Sequence, residues 1–156
     1  MRELRIHGQS QRYVHTRIGV GGRMDTMQCA IVLAKLERFD WEVEQRKQIG
    51  QRYNQLLDKA GILRVQQREN RTSVYAQYTI ITESREIIQK NLGDQEIPTA
   101  VHYPVPLNQQ PAYKHLCCPD CTPVSNKMAK QVMSLPMGAY LSLDAQTRII
   151  EQLCHV

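Results

Sequence analysis

The residues best suited to chemistry sit in three places. Residues 17–36 read RIGVGGRMDTMQCAIVLAKL, where Gly19, Gly21 and Gly22 crowd together ahead of Arg23 and an apolar run. A glycine-rich turn opening a helix presents backbone N–H groups and the positive helix end, a general anion site. The guanidinium of Arg23 would add a bidentate, permanently charged partner for phosphate or carboxylate. GVGGR is neither G-x-G-x-x-G nor G-x-x-x-x-G-K-[ST], and no strand-like apolar run precedes it. Dinucleotide and P-loop binding are therefore disfavoured.

The second place is His102, where a strand-like stretch gives way to YPVPLNQQPAY. That segment must be a loop and so could line a site, although spacing alone makes a packed or solvated histidine the default. The third is CCPDC, with Cys117 beside a C-x-x-C pair, Cys118 and Cys121. Zinc would need two further ligands, for which only His115 and the distant Cys154 or His155 stand out, and the usual two-pair spacing is missing. An exposed loop with incidental thiols and no metal is the expectation. No Ser-His-Asp or Cys-His arrangement and no isolated carboxylate pair can be read, so binding groups are present without an evident catalytic engine.

A chain of 156 residues suits one ordinary domain or part of a larger one. No run of about eighteen apolar residues is present, which argues against a membrane span, and the first residues lack the apolar centre of a secretory signal. Five cysteines, an odd number, argue against a disulfide framework and agree with a cytoplasmic protein. The net charge of +5 is concentrated early, with Arg2, Arg5, Arg12, Arg17 and Arg23 set against the single acid Glu3. Mixed with His7, Tyr13 and His15, these charges suit a compact anionic ligand better than a long polyanion groove; a solvated basic edge is the plain alternative. A small basic α+β nucleic-acid module is the rival function, but aromatics make up only 6% of residues and no stacking platform is visible.

The elements that must position these groups follow from periodicity. Met27, Ala30, Ile31 and Ala34 fall on one helical face with Asp25 placed as cap. The pattern weakens near residues 38–47, then resumes with Ile49, Tyr53, Leu56 and Ala60 before Gly61 stops it. Residues 24–60 thus read as one long helix or two nearly collinear ones. ILRVQ and SVYAQYTII, with Val74, Ala76 and Tyr78 on one face, read as an antiparallel hairpin across the turn QRENRTS. A short helix ending at Gly93, a strand over 97–102 that delivers His102, and helices over SNKMAKQVMS and SLDAQTRIIEQL complete the chain. The class is α+β, a small, mostly antiparallel sheet covered by helices.

Three ordered motifs carry a family likeness: HGQSQRYVHTRIGVGGRMDTMQCAIVLAKLERFDWEVEQR, AVHYPVPLNQQPAY and VMSLPMGAYL. Together they resemble the C-terminal part of the DegT/DnrJ/StrS sugar aminotransferases, nearest to those acting on UDP-linked 3-keto-N-acetylglucosaminuronate for bacterial surface polysaccharide. The resemblance implies the small C-terminal domain of the aspartate-aminotransferase-like fold type I, with residues 1–23 as an active-site loop segment, 24–60 as the connecting helix and 61–156 as the domain. It implies a cytoplasmic bacterial enzyme using pyridoxal phosphate, a UDP-sugar and an amino donor, glutamate, in a homodimer or higher oligomer, and no nucleic acid or membrane partner.

The family's cofactor-binding lysine lies in a large domain upstream of the HG motif. None of Lys35, Lys47, Lys59, Lys90, Lys114, Lys127 or Lys130 stands in that context, so the chain alone is expected to be inactive, with no catalytic residue of its own. By the same resemblance Gly21 and Gly22 face the phosphate of a neighbouring subunit's cofactor, Gly21 standing where relatives often have asparagine. Arg23, His102 and Tyr113 would hold the sugar, and His7, Tyr13 and His15 would belong to a loop over the active-site mouth.

Overall fold

A computed structural model describes residues 1–155. They form two compact units that divide between Asp40 and Trp41. No helix among the described residues is long and apolar enough to cross a membrane.

The first unit opens with a small antiparallel hairpin, β1 (Gln9–Gln11) and β2 (Val14–His15), in which Gln9 faces His15 and Gln11 faces Val14. Gly8 makes the approach possible: its φ is +74°, and a Cβ there would overlap the Arg17 carbonyl, so glycine alone fits. The Gly8 carbonyl accepts from the N–H groups of Thr16 and Arg17 at 3.0 and 3.3 Å. Helix α1 (Thr26–Leu36) follows, capped by Asp25, whose Oδ1 accepts from Met27 N–H at 2.8 Å and Gln28 N–H at 3.3 Å. No residue of α1 is buried.

The helical stretch is two helices: α1 ends at Leu36 and α2 (Phe39–Ala60) starts three residues later. From Trp41 onward α2 belongs to the second unit. Its Ile49, Tyr53 and Leu57 recur every four residues and are buried, so one face of the helix enters the core. Leu57, rather than the expected Leu56, is the fully buried member; Leu56 only borders the core and Ala60 is exposed.

The core sheet pairs β3 (Tyr78–Ile81) antiparallel with β4 (Val132–Leu135), in the register Tyr78–Leu135, Thr79–Ser134, Ile80–Met133 and Ile81–Val132. Alternation sends Tyr78, Ile80, Met133 and Leu135 into the core. Single bridges extend this pair on both edges, Arg64 to Ile80 and Ala100 to Ser134. The hairpin expected between residues 62–66 and 73–81 is therefore reduced to a short pairing, with Ile81 N–H donating to Leu63 O at 2.8 Å and Val65 N–H to Thr79 O at 3.1 Å. The strand expected over 97–102 is likewise one bridge, with the Ala100 and Ser134 N–H groups each donating to the other residue's carbonyl, at 3.1 and 2.7 Å.

Two expectations are corrected. Val74 and Ala76 do not share a strand face with Tyr78, because Tyr75 takes φ 46° and breaks the alternation. Instead the Arg46 guanidinium holds the successive carbonyls of Val74, Tyr75 and Ala76 at 3.1, 3.2 and 3.2 Å. The helix expected over residues 125–134 ends at Gln131, and Val132–Leu135 is strand, since pairing with β3 completes its backbone hydrogen bonds in a buried position.

Three helices cover this sheet region: α3 (Arg85–Asp94), α4 (Pro123–Gln131) and α5 (Leu143–Cys154). Ser142 caps α5, its Oγ accepting from Ala145 N–H at 3.1 Å, and Ile149, Ile150 and Leu153 join the core. Gln146 is fully buried and satisfied: its Nε2 donates to Ile49 O at 2.8 Å and its Oε1 accepts from Arg52 Nη1 at 3.0 Å.

Candidate functional site

The groups singled out from sequence fall into two sets, one in each unit. In the first unit, Ile6 bridges to Gly21, His7 N–H donates to Val20 O at 3.1 Å, and Gly22 N–H donates to Arg5 O at 2.8 Å. This ladder lays the glycine turn beside His7. A Cβ at Gly21 would stand 3.1 Å from His7 Cε1, so the imidazole lies directly against that residue. His15 joins through Nδ1, 2.9 Å from the His7 carbonyl oxygen; because that oxygen only accepts, His15 carries its proton on Nδ1. Tyr13, at the hairpin tip with φ 67°, is exposed and carries the Arg12 guanidinium 5.1 Å above its ring.

The simple picture of free N–H groups beside a positive helix end is corrected here. Gly22 N–H is committed to Arg5 O and also lies 3.0 Å from Val20 O. The helix starts at Thr26, and the Asp25 carboxylate already takes the first donors. Of the two glycines expected to face an anion, Gly21 keeps its N–H outside the ladder as the non-hydrogen-bonded partner of Ile6, and Arg23 is exposed and makes no ion pair or side-chain hydrogen bond among the described residues. Arg17, by contrast, is paired with Glu3 at 3.2 Å.

In the second unit a cavity of about 850 Å³ brings His102 and Tyr113 together, with Tyr103, Asn108, Leu116 and Met128 among its walls. The proline-rich segment does line it, through Val105 and Pro106. The Ala100–Ser134 bridge places His102 over β4, where its Nδ1 is 3.3 Å from Ser134 Oγ, itself 3.1 Å from Thr79 Oγ1. A hydroxyl relay from the polar face of the sheet thus orients the imidazole. Ser134, Tyr103 and Asn108 were missed in the sequence: Tyr103 adjoins His102 and could have been carried with it, whereas Ser134 is recognisable only once β4 is paired.

The wall is mostly apolar, with a few polar groups, the usual make-up of an organic-ligand pocket. No lysine lines it. In the first unit, Gly21 N–H is a donor of the kind that suits the phosphate of pyridoxal phosphate. Among the described residues no group of three or more His, Cys, Asp or Glu is arranged for a metal ion.

A family model described as the DegT/DnrJ/EryC1/StrS aminotransferase family matches residues 1–154. Among curated proteins, the chain is 46% identical over 141 residues to UDP-2-acetamido-2-deoxy-3-oxo-D-glucuronate aminotransferase of Pseudomonas aeruginosa, a match covering 90% of this chain and 39% of that protein. Among solved structures, it is similar to a DegT DnrJ EryC1 StrS aminotransferase from Brucella abortus, with a TM-score of 0.91, 35% identity, and coverage of 97% of this chain and 41% of that one. It is also similar to S. venezuelae DesV, with a TM-score of 0.93, 31% identity, and coverage of 99% and 42%. The chain spans about two fifths of the length of the relatives it matches.

Proposed function

We propose a function from the family to which this chain belongs, the DegT/DnrJ/EryC1/StrS aminotransferases: it forms the sugar-binding and subunit-bridging part of a pyridoxal-phosphate sugar-nucleotide aminotransferase. In this reading residues 1–23 are the active-site loop segment, 24–60 the connecting helices and 61–156 the small domain. The substrate is a UDP-linked 3-keto-N-acetylglucosaminuronate and the amino donor is glutamate. The observation that carries the reading is the 46% identity to the P. aeruginosa enzyme spread over 90% of the chain.

When bound, the cofactor supplies the electron sink through which an amino group passes from donor to keto-sugar. The chain's own residues bind and orient. Arg23 offers its fixed fork to the sugar carboxylate, and Gly21 N–H offers one donor to the phosphate of a neighbouring subunit's cofactor. His102, held by Ser134, presents its other ring nitrogen to sugar hydroxyls, and Tyr113 forms the adjacent wall. His7, Tyr13 and His15 form a loop over the mouth of the site.

Because no lysine stands in the cofactor-binding context, the chain alone carries no transaminase activity, and a dimer or higher assembly with the large domain completes the site. The apolar residues of α1, with Met27, Ile31, Leu33 and Leu36 all exposed, agree with that need for a partner.

A chimera tests the proposal. Residues 1–154 replace the matching segment of the P. aeruginosa enzyme, and amination of UDP-2-acetamido-2-deoxy-3-oxo-D-glucuronate is followed with glutamate as donor. Turnover should survive the graft and fall by at least about ten-fold in Arg23→Ala and in His102→Ala, each the loss of one oriented hydrogen-bonding contact to the sugar. A folded chimera that keeps the cofactor but cannot aminate this sugar would reject the substrate assignment.

A further inference from the structure

Cys118 and Cys121 have no part in the amino-transfer reading. Pro119 and Asp120 between them make a turn, with Cys121 N–H donating to Cys118 O at 3.4 Å and the Cys121 thiol 2.8 Å from the same oxygen. Proline presets φ for the first central position of such a turn. A β-turn holds its first and fourth Cα atoms within about 7 Å, and disulfide-bonded cysteines need roughly 4.4–6.8 Å.

The turn is also held from outside. Buried Asn108 donates its Nδ2 to Cys118 O at 3.3 Å and Pro119 O at 3.1 Å, and Asn126 Nδ2 donates to Pro119 O at 2.9 Å. Both thiols are free and exposed, so a reagent can reach either one.

We propose that Cys118 and Cys121 are a reversible dithiol–disulfide site whose co-substrates are small disulfides and thiols of the glutathione class. One thiolate of the pair attacks a sulfur of the oxidant RSSR, forming a mixed disulfide and releasing RS⁻. The second thiolate attacks the protein sulfur of that mixed disulfide, closing the Cys118–Cys121 bond and expelling the second RS⁻. The two protons given up by the cysteines end on two RSH; the pair loses two electrons and RSSR gains them. Excess thiol runs the same steps backwards. Closure is intramolecular, so a preset turn favours it over the mixed disulfide. Leu116, Cys117 and Thr122, which flank the turn, line the His102 cavity, so the bond forms in a segment that walls it.

The test uses the full chain equilibrated in glutathione buffers of graded potential, quenched with acid, alkylated and mapped by tandem mass spectrometry. Trypsin leaves Cys117, Cys118 and Cys121 on one peptide, residues 115–127. The wild type and Cys117→Ser should lose about 2 Da there, exceeding the glutathione adduct at least about ten-fold, and regain it with excess thiol. Cys118→Ser and Cys121→Ser should stop at the adduct. A bond that survives in either of those variants, a link to Cys29 or Cys154, or a wild type dominated by the adduct would overturn the assignment. Circular dichroism of each variant separates these outcomes from misfolding.

Discussion

Gly50 lies in the middle of α2, where glycine is normally a weakness: replacing it by alanine in an open helix adds roughly 0.5–1 kcal/mol of stability. Here the opposite sign is expected. A Cβ at Gly50 would overlap the Tyr75 ring at Cδ2, Cε2 and Cγ. That ring has little freedom to retreat. Its hydroxyl donates to Gln67 Oε1 at 3.0 Å and accepts from Asn54 Nδ2 at 3.2 Å, its face packs on Tyr78 at 5.4 Å, and the Arg46 guanidinium fixes its own carbonyl. Overpacking a constrained site costs about 1–3 kcal/mol, which outweighs the helix gain and leaves Gly50→Ala destabilising by about 1–2 kcal/mol. Gly93 in α3 is the control, since a Cβ there meets nothing within 4 Å, and Gly93→Ala should stabilise by roughly 0.5–1 kcal/mol. Urea titration followed by circular dichroism reads both as shifts of the midpoint. In a Tyr75→Ala background the Gly50→Ala effect should reverse sign. A Gly50→Ala midpoint above wild type, with Tyr75 intact, would refute the argument that the ring cannot move.

Three further outcomes follow from the same structure. Asp25→Ala removes the acceptor for Met27 and Gln28 and should cost about 1 kcal/mol of local helix stability, read as faster amide exchange in the first turn of α1. The Arg64 side chain, bonded to Asp58 at 3.0 and 2.9 Å, holds the Asp58 carboxyl below its ordinary range; the pair's contribution is present above the unfolded-state value and lost as pH falls through the lowered folded one. Asp58→Asn should flatten that acid limb in stability measured against pH. Burial, followed by the neighbouring Tyr78, pushes the Tyr53 phenol well above its ordinary value, so its contribution is full below about pH 10 and declines as pH rises past it. Tyr53→Phe should reduce the alkaline loss, although it gives up the hydroxyl's hydrogen bond to Pro136 O at 3.0 Å.

How much of this was legible depends on how far apart the interacting residues lie in the chain. The Asp25 cap, the helix over residues 142–153 and the apolar face of Ile49 and Tyr53 rest on neighbours within a turn or two, and the sequence pattern carries them directly. The sheet does not. β3 resembles half of a local hairpin, and residues 63–65 do run beside it, yet its full ladder is with Val132–Leu135, some fifty positions away. Val132 and Met133 continue the amphipathic run of α4 closely enough to read as helix, and only the demand of β3 for a partner turns them into strand. The same tertiary pairing positions the site: Ser134 faces away from the core, alternates with Met133 and Leu135, and so can reach His102. His102 and Tyr113 could be nominated from a proline-rich loop and a family likeness, but the cavity they share arises because the Ala100 bridge lays that loop against β4. The glycine turn shows the converse. Its composition promised free donors at both Gly21 and Gly22, but Arg5 O takes the N–H of Gly22 and Asp25 takes the helix start, so of those two glycines only Gly21 keeps its N–H outside the ladder, beside the exposed Arg23.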